Sequence, residues 1–403
     1  MPYIVTPLEA KVRQASIDDI LDDKVDVEAI LRSRSVAARR TTSTKTYYYK
    51  NEIPVKYYKD LQLKEMIDSV KEWNDRHESL FLADREILYT RFSIPKSSGG
   101  WRRIDAPNQE LKSALRELKE IFEFVYRPLY HTSAFAYIPK RQTLDAVKKH
   151  QQNGSWWFLK TDFSDFFGSS TEEFVWRMLT QIFPFSEVVK SSQGEQELRK
   201  ALSLCFLDGG LPQGTPISPW LTNVFMIPID FRYANDLRNN SGRKWDGNHF
   251  VYTRYADDIH ISCKGSFDWR HIAQYMRDVL AEFGAPYQLK DEKTHYGSRN
   301  GRNWILGVML NKDNQITVGH KKKKDYRATL HNYAKAKMGI GDPWLLEDIQ
   351  YVQGLTSYYN EVEPTFINKK AEEFRQKNGY DFIESMKMDV AGGGIICFNR
   401  ATA

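Results

Sequence analysis

The chain has 403 residues, 41% of them hydrophobic, 13% aromatic and 27% charged, a balance that suits two or three packed subdomains and excludes a disordered chain. Its formal charge is a modest +6, and no apolar run approaches the ~20 residues that would cross a bilayer, Trp304 to Leu310 being only strand-sized. Cys205, Cys263 and Cys397 are odd in number and far apart, so buried reduced thiols are expected; MPYIVTPLEAKVRQ lacks the order of a signal peptide, which predicts a cytoplasmic protein.

Residues 18–28 hold six acids against one lysine, with Ile20, Leu21, Val25 and Val27 between them, a pattern for short amphipathic helices. Residues 32–50 follow with six basic residues and no acid. Residues 1–56 therefore read as an N-terminal extension whose basic, Tyr-rich arm either touches nucleic acid or pairs with the acidic helix. From 57 to 92, Leu61, Leu63, Met66, Ile67, Val70 and Trp73 recur on one helical face. Phe92 to Pro95, a Ser-Ser-Gly-Gly turn and Trp101 to Asp105 predict a hairpin, with Lys96, Arg102 and Arg103 flanking its tip. Asn108 caps a helix that carries Leu111, Leu115, Leu118, Phe122 and Val125 and stops at Pro128. Pro139, Lys140 and Arg141 precede a helix beginning near Thr143, where a basic turn can seat a phosphate.

The apolar run from Trp156 carries a strand straight into Asp162, with Asp165 three residues on and Phe167 five. Residues 171–206 read as helices interrupted by a polar loop at 191–195. A Gly/Pro-rich turn around Gln213 and Gly214 then gives way to a helix with Ser218 as N-cap and Pro219 in its first position. At 253–262 the sequence is TRYADDIHIS, two strands with Asp257 and Asp258 at the turn between them. Adjacent carboxylates repel, and a cation relieves them; oxygen ligands suit Mg²⁺, which shares its remaining sites with substrate phosphates. A solvated turn would also favour Asp. A helix over 267–283, the polar stretch holding Lys290, Lys293 and Thr294, and a strand at 303–310 follow. Residues 320–341 carry seven Lys/Arg against one Asp, which suits either a polyanion-binding surface or a solvated helix face. Leu345 to Tyr359 repeat at helical spacing, and the last two dozen residues, with Gly392 to Gly394 and then Ile395-Ile396-Cys397-Phe398, read as an added strand or a plug.

From about residue 90 to 312 these segments, in order, resemble a reverse transcriptase. Phe-x-Ile-Pro-Lys96 with Trp101-Arg102 is similar to the family's fingers hairpin, and Asp162-Phe163-Ser164-Asp165-Phe166-Phe167 to its first catalytic motif. Leu211-Pro212-Gln213-Gly214-x-x-x-Ser218-Pro219 resembles the second and Tyr255-Ala256-Asp257-Asp258 the third, while Lys293-Thr294 and Leu306-Gly307 resemble the fourth and fifth. The resemblance implies an α+β right-hand polymerase with fingers (57–150 and 170–217), an antiparallel-sheet palm (151–169 and 218–318), an α-helical thumb (319–378) and a tail (379–403). It implies two Mg²⁺ ions held by Asp162 and Asp257, with Asp258 assisting and the Phe163 carbonyl as a further ligand. Lys96 and Arg102 would neutralise the triphosphate of a deoxynucleotide, Gln213 and Gly214 line its pocket, and Tyr255 pack near the primer terminus. Phe167 would lie under the incoming sugar and exclude a 2′-hydroxyl. Lys293 would protonate pyrophosphate, or is simply solvated. Lys140, Arg141, Lys321, Lys322, Lys323, Lys324 and Arg327 are the expected contacts to template RNA and to the RNA–DNA duplex product.

About forty residues remain after the thumb, too few for an RNase H, and the bare plan resembles bacterial retron and phage-defence enzymes that work with a structured non-coding RNA. Where retron enzymes carry Asn-Ala-x-x-His and Val-Thr-Gly, this chain has His131 in another context and Ile316-Thr317-Val318-Gly319, which leans toward the defence-associated group. Two other readings stand beside it. One is untemplated or protein-primed DNA synthesis, with Tyr47 to Tyr49 as hydroxyl donors; the other is an RNA-binding scaffold whose chemistry is dispensable.

Overall fold

Alternating and three-to-four-residue apolar spacings become strands and helices largely where the sequence puts them. The computed structural model describes residues 60–96, 99–125, 130–239, 248–301, 303 and 305–393. The N-terminal extension with its Tyr-rich arm, the hairpin-tip serines Ser97 and Ser98, Trp304, Cys397 and the last stretch of the tail lie outside the described residues. Two compact units divide the chain, one comprising the residues up to Ala146 and Phe158–Tyr296, the other Val147–Trp157 and Gly297–Ala403. No helix among the described residues is long and apolar enough to cross a membrane.

In the first unit, α1 (Asp60–Arg76), α2 (Glu78–Leu82) and α3 (Arg85–Leu88) lead into the hairpin β1 (Tyr89–Pro95) and β2 (Trp101–Pro107). The hairpin is antiparallel, from Tyr89 opposite Pro107 to Pro95 opposite Trp101. Asn108 caps α4 (Gln109–Val125) as expected, its Oδ1 accepting from the Leu111 amide at 2.8 Å. The division between units passes through α5 (Thr143–Gln152). After β3 (Trp157–Asp162) come α6 (Glu172–Leu179), α7 (Phe185–Val188) and α8 (Ser192–Ser203). The polar loop expected at 191–195 is instead the start of α8. Ser191 is its N-cap, with Oγ accepting from the Gly194 amide at 3.0 Å, so the Ser/Gly signal that reads as a break is capping chemistry.

Next come α9 (Ser218–Phe225) and α10 (Ile227–Asn239). Ile217, not Ser218, is the N-cap of α9; Ser218 sits inside the helix, its hydroxyl 2.6 Å from that of Thr215. Then β4 (Val251–Tyr255) and β5 (Asp258–Cys263) form an antiparallel hairpin, followed by α11 (Trp269–Glu282) and β6 (His295–Ser298). The sheet order is β4-β5-β3-β6, so the strand that ends in Asp162 lies beside the strand that begins with Asp258. Behind it Phe163 stacks on Phe166 at 5.6 Å and meets Tyr287 at 5.1 Å, with Phe174 edge-on to Tyr287 at 5.4 Å. Each such ring contributes roughly 1.5–3 kcal/mol on burial and fixes the end of β3. Cys205 and Cys263 are buried free thiols, as expected.

In the second unit β7 (Met309–Leu310) pairs with β8 (Ile316–Thr317), so among the described residues the strand expected over 303–310 is not continuous. Leu306 at φ 49° and Gly307 at φ 89° make a tight turn that pairs Ile305 with Val308, a reversal that an all-apolar run conceals. The unit continues through α12 (His320–Lys337), α13 (Leu346–Val362), α14 (Pro364–Asn378) and α15 (Phe382–Ala391), a helix in the first part of the tail, while the Ile395 to Phe398 run read as a strand or plug lies outside the described residues.

Candidate catalytic site

Tyr255 and Asp258 are the last paired residues of the β4–β5 hairpin, leaving Ala256 and Asp257 as a two-residue loop. Ala256 takes φ 55°, the positive value that a two-residue loop between right-twisted strands demands. Asp257 thus stands at the tip, and Asp258 is the first residue of β5 rather than part of the turn. The Phe163 amide donates to the Asp257 carbonyl at 3.2 Å, which ties the tip to the end of β3 and brings Asp162 to the same place.

Asp162 is only 3% exposed, and both its oxygens are engaged: Lys290 Nζ donates to Oδ1 at 2.9 Å and Lys293 Nζ to Oδ2 at 2.8 Å. Lys160 Nζ lies 3.0 Å from Asp258 Oδ1. Asp257 has no ion pair among the described residues; burial pushes its carboxyl above the usual range, and the neighbouring charges of Asp162 and then Asp258 push it further. Hydrogen bonding to Asp162 raises the Lys293 ammonium, which holds its proton firmly.

Of these groups Asp257, Lys290 and Lys293 line a cleft of about 920 Å³, together with Lys96, Arg102, Phe167, Gln213 and Gly214. The structure so gathers, in one unit, most of the nucleotide-binding residues read from the sequence. Tyr255 is half-buried at the end of β4, and Phe163 is fully buried in the aromatic cluster. The cleft walls are braced against one another. Arg103 and Arg91, one from each hairpin strand, reach Asp208 at 2.6 and 3.1 Å, and the Asp105 amide donates to the Gln213 carbonyl at 2.8 Å. Gly214, at φ 136°, has no room for a side chain, since a Cβ would stand 2.7 Å from the Asp105 carbonyl oxygen.

Gly210 is tighter still, a Cβ there falling 2.0 Å from the Gly168 carbonyl oxygen. Gly210→Ala should therefore part the Phe167 segment from the Gln213 loop. The expected loss of DNA synthesis is about 100-fold, as a displacement on the order of 1 Å at reacting groups produces, measured as primer extension by protein with unchanged helical circular dichroism.

Two basic clusters turn out differently from the sequence reading. Arg141 is not available as a phosphate contact: its Nη1 donates to the carbonyls of His131 at 2.8 Å and Ala134 at 2.7 Å and so clamps its own loop. Lys140 beside it is exposed. On α12, Tyr326, Leu330 and Tyr333 face the core, Lys322 donates to the Gly307 carbonyl at 2.6 Å, and Lys323 pairs with Glu363. Lys321, Lys324 and Arg327 are the exposed members.

Sequence reasoning missed Lys160 and Lys290 as partners of the carboxylates. Lys160 and Asp162 are two residues apart on one strand, hence on one face, and that period could have found the lysine. Lys290 shares a bend with Lys293, but only folding shows that both converge on Asp162.

Among the described residues no group of three or more His, Cys, Asp and Glu side chains is gathered to hold a metal ion. The donors nevertheless fit Mg²⁺. This ion is usually held by one or two carboxylates and the phosphates of its substrate rather than by a cage of protein ligands, and a cation would relieve the repulsion on Asp257.

Residues 94–325 match the family model for reverse transcriptase (RNA-dependent DNA polymerase). Over 314 residues the chain is 26% identical to the Retron Ec83 reverse transcriptase of Escherichia coli, covering 76% of this chain and 91% of that protein. Over 310 residues it is 25% identical to the Retron Mx162 reverse transcriptase of Myxococcus xanthus, covering 70% and 59%. A solved telomerase from Candida albicans, in complex with a fragment of telomeric RNA, overlaps with a TM-score of 0.40 at 11% identity, over 80% of this chain and 64% of that one, too loosely to carry weight. These two relatives are both named retron reverse transcriptases, so the likeness is retron-like despite the departures at 131 and 316–319.

Proposed function

The chain belongs to the reverse transcriptase (RNA-dependent DNA polymerase) family, and from that premise we propose that it copies a structured non-coding RNA into DNA in the cytoplasm, as part of a bacterial anti-phage system. The observation that carries this reading is the meeting in one cleft of Asp257, joined to Asp162, with the hairpin cations Lys96 and Arg102, Phe167 and Gln213. In the same reading the hairpin and α4 belong to the fingers, the four-stranded sheet to the palm, and α12 to α14 to the thumb, whose exposed Lys321, Lys324 and Arg327 track the RNA–DNA duplex.

Asp162 and Asp257, assisted by Asp258 and the Phe163 carbonyl, would hold two Mg²⁺ ions. Bound there, the metals supply an acidified primer 3′-hydroxyl and a neutralised triphosphate. Lys96 and Arg102 bind the triphosphate from the hairpin side. Lys293, kept protonated by Asp162, is placed to give a proton to the departing pyrophosphate. Lys290 and Lys160 keep the carboxylates oriented.

Phe167 is 9% exposed and borders the cleft, its carbonyl accepting from the Leu211 amide at 3.0 Å. As the sugar gate it excludes a 2′-hydroxyl. Phe167→Ala should cut the preference for deoxynucleotides over ribonucleotides by about 10- to 100-fold in kcat/KM, the range one shape contact supplies. Equal preference in parent and variant would remove Phe167 from the gate.

The test of function is to purify the protein with the RNA it retains, add Mg²⁺ and labelled deoxynucleotides, and sequence the product. DNA complementary to the bound RNA supports a dedicated template. Homopolymer or protein-linked DNA would replace this reading with untemplated or protein-primed synthesis. Bound RNA without product would leave an RNA-binding scaffold.

A further inference from the structure

Tyr137 is an aromatic residue held at φ 59°, a left-handed backbone that large side chains seldom adopt, and it is 51% exposed on the wall of the cleft. Its ring stands edge-on to that of Phe167, with centroids 6.5 Å apart and planes at 73°. The phenol is within electrostatic reach of Asp257, Tyr255 and Arg102.

The backbone leading to it is pinned from several sides. The Arg254 amide donates to the Ser133 carbonyl at 2.7 Å, the Phe135 amide to the Arg254 carbonyl at 2.9 Å, and Asn223 Nδ2 to the Ala136 carbonyl at 2.6 Å. Arg141 closes the loop through the His131 and Ala134 carbonyls. A strained residue persists where its surroundings over-determine it, and here they over-determine a ring set against Phe167.

We propose that Tyr137 is a positioning residue for sugar selection: its edge-on ring blocks rotation of Phe167 and so keeps the gate closed to a 2′-hydroxyl. Phe167 is packed on its other side by Phe166, at 5.7 Å and 75°, so the two contacts together fix its plane. Loss of Tyr137 leaves one of them.

Tyr137's role rests on Phe167 being the gate, and the variants separate the two. Tyr137→Phe keeps the ring and should keep the parent's discrimination. Tyr137→Gly removes the ring but suits the positive φ, so it should fold at least as stably as the parent while deoxy-over-ribo discrimination falls about 3- to 10-fold, the size one edge-on ring pair carries. The loss should appear as a lower KM for ribonucleotides, with kcat for deoxynucleotides within about twofold. In a Phe167→Ala background Tyr137→Gly should change discrimination no further, since a residue that acts through Phe167 has nothing left to hold.

Additive losses in the double variant would overturn the proposal, as would unchanged discrimination in Tyr137→Gly while Phe167→Ala is relaxed. If Phe167→Ala itself leaves discrimination intact, the gate reading and the role of Tyr137 both fall.

Discussion

Asp257→Asn should abolish DNA synthesis, by about 10³-fold or more, and at the same time raise the melting temperature of the metal-free protein. The activity loss follows because the tip carboxylate meets the developing charge of phosphoryl transfer together with its metals, a contribution of several kcal/mol. The stability gain follows from the same geometry. Asp257 is a half-buried carboxylate facing the charges of Asp162 and Asp258 with no ion pair among the described residues. A neutral amide of equal shape removes that repulsion, so a gain on the order of 1 kcal/mol, or roughly 1–2 °C in a unit of this size, is expected. Asp162→Asn should lose activity as fully but move stability the other way, because Lys290 and Lys293 both lose their partner. Added Mg²⁺ should raise the parent's melting temperature and leave that of Asp257→Asn nearly where it was. If Asp257→Asn melts below the parent without metal, the tip is not under like-charge strain, and the electrostatic account of the site is wrong.

What was legible in the sequence was local. The period of two around Asp257 and the apolar run into Asp162 place both carboxylates at strand ends, and the ordered motifs say that these ends meet; the sheet order β4-β5-β3-β6 brings them together. Asn108 announces a helix by capping chemistry that acts within one turn. What was hidden depends on partners far along the chain. Arg141 reads as a phosphate ligand until its guanidinium is seen to hold two carbonyls of its own loop. Lys322 and Lys323 read like their neighbours in a lysine run, yet one caps the Gly307 carbonyl and the other pairs with Glu363. Ser191 to Glu195 looks like a break because capping residues and loop residues are the same residues. Tyr137 carries no signal at all, since nothing in a sequence marks a positive φ at an aromatic residue.

The largest stability effect should come from a residue next to the catalytic tip that takes no part in binding substrate. Arg254, fully buried in β4, forms a two-pronged pair with fully buried Asp230 on α10: Nε to Oδ1 at 2.8 Å and Nη2 to Oδ2 at 2.7 Å. Tyr252 adds its hydroxyl to Asp230 Oδ1 at 2.7 Å. The same guanidinium donates from Nη1 to the Ala256 carbonyl at 3.2 Å, one residue before Asp257. Arg254→Met strips the Asp230 carboxylate of its counter-charge in the core, which costs about 3–5 kcal/mol, a large part of the ~5–15 kcal/mol that holds a domain folded. Asp230→Leu/Arg254→Met removes both charges and should recover most of that loss, since a buried pair exchanged for apolar side chains is often neutral. Stability and activity should then part company. The double variant still lacks the donor that fixes the Ala256 carbonyl, so it should fold but extend primers at least ~10-fold more slowly, through kcat rather than KM. Arg254→Lys keeps the charge but loses the fork and should fall between the two. Denaturant unfolding beside primer extension decides the matter. A double variant as unstable as Arg254→Met would mean that β4 needs the pair for its packing, whereas one with full activity would show that the tip finds its place without Arg254.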